Sequence, residues 1–198
     1  MDAFAEWIVP ICVAIGLSAA AGFRVFLPLL FLAIAAHQGV LELGPDFAWL
    51  GQPKVIVALA AASAIEAAAY YVPWLDNALD TVTTPLALLA GALVTFTTLA
   101  HFDPFLKWSL ALIAGAGTAG LVQLSTVAAR SASTGLTGGL GNFVIATVET
   151  LSAGALAALA LLLPVVAVAL VALLFVAGYR FVRFAWRRLA GGARAPAP

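Results

Sequence analysis

The sequence predicts an all-α, polytopic transmembrane helix bundle, and three observations carry that prediction. Of 198 residues, 64% are hydrophobic and only 9% are charged, where a soluble domain would carry about 25% charged residues. The mean hydropathy is +1.11. The apolar residues also fall into runs, such as 55–71 and 151–178, that approach or exceed the ~20 residues needed to cross a ~30 Å hydrocarbon core. This length fits one transmembrane domain over 1–190 with no soluble domain beside it, followed by a short tail over 191–198, GGARAPAP, with nothing to pack against.

Five spans follow from the runs, at roughly 8–36, 54–73, 82–101, 105–130 and 143–178. The first lacks a basic leader and continues past Pro28, so it reads as a retained helix rather than a signal peptide. The second ends at Pro73, before a turn carrying Asp76 and Asp80. Asp80 or Thr83 is placed to cap the third, with Pro85 in its first turn. The fourth is preceded by His101, Asp103 and Pro104 and followed by SASTGLTGGLGN over 131–142, the clearest loop in the chain. Asn142 is placed to cap the fifth.

Three runs are longer than a bilayer requires. At ~1.5 Å per residue, 143–178 would make a helix of about 54 Å, which must protrude, tilt or break, and Pro164 is the natural breaking point. Small residues cluster at 16–22 (GLSAAAG) and 115–120 (GAGTAG). Close helix packing is the commoner reason for such clusters, and helix discontinuity is the rarer one.

Arg180, Arg183, Arg187, Arg188 and Arg194 crowd the C-terminal end, which marks it as cytoplasmic by the positive-inside rule. A topology anchor is the favoured reading of the cluster, and attraction of anionic lipid head groups the lesser one. Five spans with an outside N-terminus put Lys54 and Lys107 on that same side and leave only Arg130 opposite. Dividing the last run at Pro164 gives six spans and moves both lysines to the other side, so five is preferred. Arg130, at the end of the fourth run, reads as an interfacial anchor, although Gln123, Thr126 and Arg130 form a polar stripe at helical spacing.

Charges near the bilayer centre cost about 2.5–3.5 kcal/mol on insertion scales, so each needs a partner or a function. Arg24 lies near the middle of the first run, Glu66 twelve residues into the second and Glu149 early in the last. Either acid is placed to neutralise Arg24. Ser152, three residues past Glu149, shares its helical face. Asp76, Asp80, Thr84, Gln123 and Asn142 are secondary polar candidates. Asp76 and Asp80 fall in a turn that water reaches easily, so depth favours Glu66 and Glu149 as the residues of a path.

No cofactor or metal is implied. The lone Cys12 cannot form an intrachain disulfide, and His37 and His101 lack ligands at metal spacing. The glycine loop lacks the ending of a phosphate-binding loop. No nucleophile–base pair supports an intramembrane enzyme, and nothing points to nucleic acid.

The residues GLSAAAG with Pro28, Glu66, Val72-Pro73-Trp74-Leu75-Asp76 with Asp80, Pro85, Ala90-Gly91-Ala92, and Ser133-Thr134-Gly135 through Gly141-Asn142 to Glu149 resemble a bacterial family of small integral membrane proteins. That family is catalogued only as a domain of unknown function, and the resemblance runs over roughly 8–178. It implies an all-helical protein of the inner membrane with no assigned activity. Relatives often carry Asp-Lys before the proline where this chain has Tyr70-Tyr71-Val72, so no role here rests on that lysine.

The expected function is therefore a small-solute or ion transporter or channel that uses Arg24, Glu66, Glu149 and Ser152. Its partners are the lipid bilayer and, through Gly/Ala-rich helix faces, further copies of itself. The alternative is a non-transporting scaffold whose buried charges lock helices together.

Overall fold

The computed structural model describes residues 3–72 and 75–192, with the side chains at 3–4, 76–77, 181–182, 184–186 and 188–192 outside the description. Beyond 192 the proposed tail lies outside the described residues. The described chain is helical between short connections. In order come α1 (Ala3–Phe23), α2 (Phe26–His37), a 3-10 segment (Pro45–Gly51), α3 (Pro53–Ala69), α4 (Leu75–Thr98), α5 (Pro104–Leu110), a π-helical turn (Ala111–Ala116), α6 (Gly117–Thr137), α7 (Asn142–Leu162) and α8 (Pro164–Gly192).

Four helical stretches are long and apolar enough to cross a membrane: Ala5–Phe23, Ala78–Thr98, Pro104–Thr137 and Asn142–Leu162. A fifth forms if the 3-10 segment and α3, bent by 65° at their junction, count as one. Large aliphatic side chains cover the outside; Ile113 is 78% exposed and Leu162 76%, a cost in water that a hydrocarbon solvent removes. The multi-pass membrane character and the approximate span count expected from the sequence both hold, but several boundaries move for physical reasons.

The first run is two helices rather than one. Pro28 has no N–H, and its ring would collide with the carbonyl of Arg24 four residues back, so the helix stops there and restarts with Pro28 in the opening turn of α2. The chain then doubles back. Trp7 of α1 packs on Phe102 just beyond α4, and Phe47, shortly after α2, packs on Phe96 at the same end. Arg24 meanwhile reaches residues 146–150 of α7.

The last run also divides, at Leu163 before Pro164. Residues 152–159 share one cavity with 170–177, and 144–149 share another with 174–179, so α7 and α8 are an antiparallel hairpin and not a single overlong span. In contrast, the expected loop at 131–142 is mostly helix. α6 runs to Thr137, and only 138–141 turn, with Gly138 and Gly139 at positive φ. Asn142 does not cap α7; Gly141 holds that position, and the Asn142 amide instead donates to Thr134 Oγ1 at 3.0 Å, tying α6 to α7. Asp80 is likewise no cap. α4 starts at Leu75, so Asp76 and Asp80 are both helical, and Pro85 lies well inside the helix.

The core is built from small residues. Ala19, Ala20, Ala21, Ala33, Ala119, Ala157, Ala160 and Ala167 are fully buried around Leu17, Leu32 and Val94. α1 runs through the middle, touching α4, α6, α7 and α8. A Cβ on Gly22 would collide with the Ala119 carbonyl oxygen and Val122, and one on Gly115 with Thr95 and the Gly91 backbone. Both glycine clusters thus serve close packing, as such faces do in membranes. The second also coincides with the π-turn, and beside it Ser18 Oγ crosses from α1 to α4, donating to the Gly91 carbonyl at 3.0 Å.

Candidate functional site

The break between α1 and α2 leaves the first amide groups of α2 inside the protein with no intrahelical acceptor. α3 supplies one. Glu66 Oε1 accepts from Val25 N–H at 2.8 Å and Oε2 from Phe26 N–H at 3.1 Å. This carboxylate, only 6% exposed, caps a helix other than its own, where the positive end of the dipole favours a negative charge.

Arg24 occupies the break itself and is 1% exposed. Its Nε donates to Thr150 Oγ1 at 3.0 Å, Nη1 to Glu149 Oε2 at 3.1 Å and to the Phe23 carbonyl at 3.3 Å, and Nη2 to the Ala146 carbonyl at 2.9 Å. Each nitrogen has a partner. The expected neutralisation of Arg24 is met, with Glu149 as the direct counter-ion and Glu66 nearby on the α2 amides.

Glu149 is shared. Arg130 Nη1 lies 3.3 Å from the same Oε2, and Arg130 Nη2 lies 3.0 Å from Asp80 Oδ1. Arg130 is therefore not an interfacial anchor; it is 1% exposed and bridges two carboxylates inside the bundle. Asp80, expected in a wet turn, is buried as its partner. Tyr70, the residue after α3, places its ring between the two guanidinium groups, 4.1 Å from Arg24 and 4.3 Å from Arg130. Cation–π contacts of this kind gain strength when desolvated. The Tyr70 hydroxyl donates to Asp80 Oδ1 at 3.2 Å and sits 2.9 Å from Thr83 Oγ1, which in turn accepts from Gln123 Nε2 at 3.2 Å.

The two arms of this network differ in how completely they are satisfied. Among the described residues, Arg130 Nε and Glu149 Oε1 are buried and have no hydrogen-bond partner. Such atoms are rare in native proteins, and each requires an explanation. Both members of the Arg130 bridge also face cavities. Asp80 lines one of about 430 Å³ with Thr81, Thr84, Pro85, Val127 and Ser131. Glu149 lines one of about 800 Å³ between α6, α7 and α8, whose walls are otherwise mostly apolar.

Of the residues singled out in the sequence, Arg24, Glu66, Glu149, Asp80 and Gln123 come together in this network, and Thr84 stands at its edge, donating to the Asp80 carbonyl at 2.6 Å. Ser152 does not join. It lines a separate apolar cavity with Ala19, Phe23 and Leu156. Asn142 stays at the α6–α7 turn, and the Asp76 side chain lies outside the described residues. Arg130, Tyr70 and Thr83 are the members that sequence reasoning missed. The Gln123, Thr126, Arg130 stripe was a signal for the first; nothing local signals Tyr70. Among the described residues no group of three or more His, Cys, Asp or Glu could hold a metal ion.

This fold and site define a class: multi-pass helical membrane proteins whose broken helices enclose a buried charge network. The chain belongs to the family described as Domain of unknown function (DUF4126), matching it over residues 11–184, a stretch that contains the whole network. No curated protein and no solved structure matches the chain.

Proposed function

We propose that the protein carries a small solute or ion across the bacterial inner membrane, with Arg130 as the group that exchanges partners during passage. The observation that supports this most is the Arg130 bridge. It joins Asp80, on a cavity with hydroxyl-bearing walls, to Glu149, on a cavity open toward the apolar face. An ion passing between them has a ready way to be hosted, because Arg130 can lean toward either carboxylate while the other takes the guest. Intramembrane ionisable groups facing cavities are the usual marks of such paths. The proposal involves no catalytic step and no cofactor.

In this reading the C-terminus faces the cytoplasm, because the exposed Arg180, Arg183 and Arg187 sit on the C-terminal part of α8, at the end where α6 and α7 join. α1 begins at the opposite end, against Phe102, which fits an odd number of crossings. The glycine faces are consumed inside the bundle, so a face for self-association falls to α3, where Val57, Ala60, Ala61, Ala64, Ile65 and Ala68 are exposed.

A non-transporting scaffold is the second reading, and the fully satisfied Arg24 favours it, because a dry, complete ion pair needs no guest. A flux screen of the reconstituted protein with a panel of ions and metabolites separates the two. Transport predicts flux of at least one solute that Asp80→Asn or Arg130→Gln reduces by at least about tenfold, roughly 1.4 kcal/mol. A scaffold predicts none.

A further inference from the structure

The α7–α8 hairpin carries a continuous apolar furrow, whose wall the charge network reaches only at Glu149 and Thr126. The cavity of about 800 Å³ between α6, α7 and α8 shares Phe23 and Leu174 with a second apolar cavity of about 360 Å³ that continues toward the hairpin tip. At its other end it shares Tyr179 with a small cavity formed by Arg180, Arg183 and Arg187. From Val144 to Leu159 along α7 the furrow spans about 22 Å. That exceeds the ~15 Å half-thickness of a ~30 Å hydrocarbon core. One mouth is triply cationic and the rest is greasy.

We propose that this furrow is a binding site for one anionic phospholipid, with the phosphate held by Arg180, Arg183 and Arg187 and an acyl chain lying along the α7–α8 furrow. Three features select this occupant over others. A helix of an arbitrary protein partner has no reason to bring an anion to the arginine mouth and a chain one leaflet long to the furrow. A second copy of this chain would bring the same three arginines and be repelled at that mouth. A zwitterionic lipid fits the furrow but cancels much of the attraction, since near-surface basic residues act on net lipid charge. Guanidinium groups three and four residues apart lie on one helical face and suit phosphate oxygens better than ammonium groups do. Tyr179, 65% exposed and amphipathic, stands where headgroup and chain meet.

Gly178 gives a clean way to close the furrow. It lines the cavity, and a Cβ there would meet nothing within 4 Å, so a side chain can leave the backbone there without a clash and occupy furrow space. Purified full-length protein is titrated with phosphatidylglycerol or phosphatidylcholine and bound lipid is counted by native mass spectrometry. Wild type is expected to bind phosphatidylglycerol at least about tenfold tighter than phosphatidylcholine. The triple substitution Arg180→Ala, Arg183→Ala, Arg187→Ala should erase that preference while leaving weak binding of both lipids, and Gly178→Phe should weaken both. Inorganic phosphate should compete poorly with the lipid, because it lacks the chain. Equal affinity for the two lipids in wild type overturns the proposal, as does an undiminished preference in the triple variant. Binding unchanged by Gly178→Phe removes the furrow from it, and a dimer that Gly178→Phe abolishes in the absence of lipid assigns the face to a second copy instead.

Discussion

Arg24 and Arg130 are the same residue type, equally buried, ion-paired with the same oxygen of Glu149 and stacked against the same tyrosine ring, yet they are built for different ends. Every nitrogen of Arg24 has an acceptor, two of them backbone carbonyls that cannot move without unwinding a helix. Arg130 holds two carboxylates from different helices, donates weakly at 3.5 Å to Thr126, and keeps Nε without a partner. The first arrangement fastens a helix break. The second has spare capacity, and its carboxylates face cavities. Burial and charge alone would have given the two arginines one role; the hydrogen-bond inventory separates them.

The sharpest way to break this comparison is to remove Arg24. Arg24→Leu leaves Glu149 with one cation and the Ala146 carbonyl without its guanidinium, and losing one partner of a buried pair costs about 3–5 kcal/mol. Chemical unfolding in detergent should show this loss, while Arg187→Leu, on the exposed end of α8, should stay within about 0.5 kcal/mol of wild type. Equal effects would mean that the break is not fastened by Arg24.

Glu66→Gln comes next. The amide keeps one acceptor for Val25 or Phe26 N–H but turns a donor toward the other, so the expected cost is about 1–3 kcal/mol. Hydrogen exchange at the start of α2 should rise with it. Unchanged protection at Val25 and Phe26 would remove Glu66 from the cap.

Asp80→Asn should cost less, about 1 kcal/mol, because Oδ1 remains to accept from Tyr70 and Arg130. Under the proposed transport role, its effect falls on flux rather than on stability. If it unfolds the protein as readily as Arg24→Leu does, the two arms are not distinct.

The smallest effect sharpens the geometry without disturbing it. In a Cys12→Ser background, Thr84→Cys and Ser131→Cys on the Asp80 cavity should react with a membrane-impermeant maleimide from the C-terminal side, with stability within about 0.5 kcal/mol of the background. Ser152→Cys, on an apolar cavity, should not react. Labelling of Ser152→Cys alone would reverse the assignment of the wet side.

Much of this was legible from composition, because the hydrocarbon solvent leaves a strong imprint on residue choice. The all-helical membrane fold, the intramembrane Arg24, Glu66 and Glu149, and the suspicion attached to Pro164 all follow from local sequence. The charge network itself does not. Arg24 meets Glu149 across 125 positions and Val25 meets Glu66 across 41, and no window contains both ends. Position along the run misled in two cases. Arg130 closes an apolar run and Asp80 opens one, which is where interfacial residues belong, but α4 begins at Leu75 and α6 runs on to Thr137, and these added turns enclose both. Pro28 reads in the sequence as an interior residue of an apolar run, although its ring dictates the break that organises the network. Tyr70 stood out only as a departure from relatives.

Flux through reconstituted protein tests the division of labour most directly. With a solute that wild type carries, the account predicts that Asp80→Asn folds normally yet carries it at least about tenfold more slowly. Asp80→Asn moving that solute at the wild-type rate would contradict the account, and so would a wild-type protein that carries nothing across a broad panel of ions and metabolites.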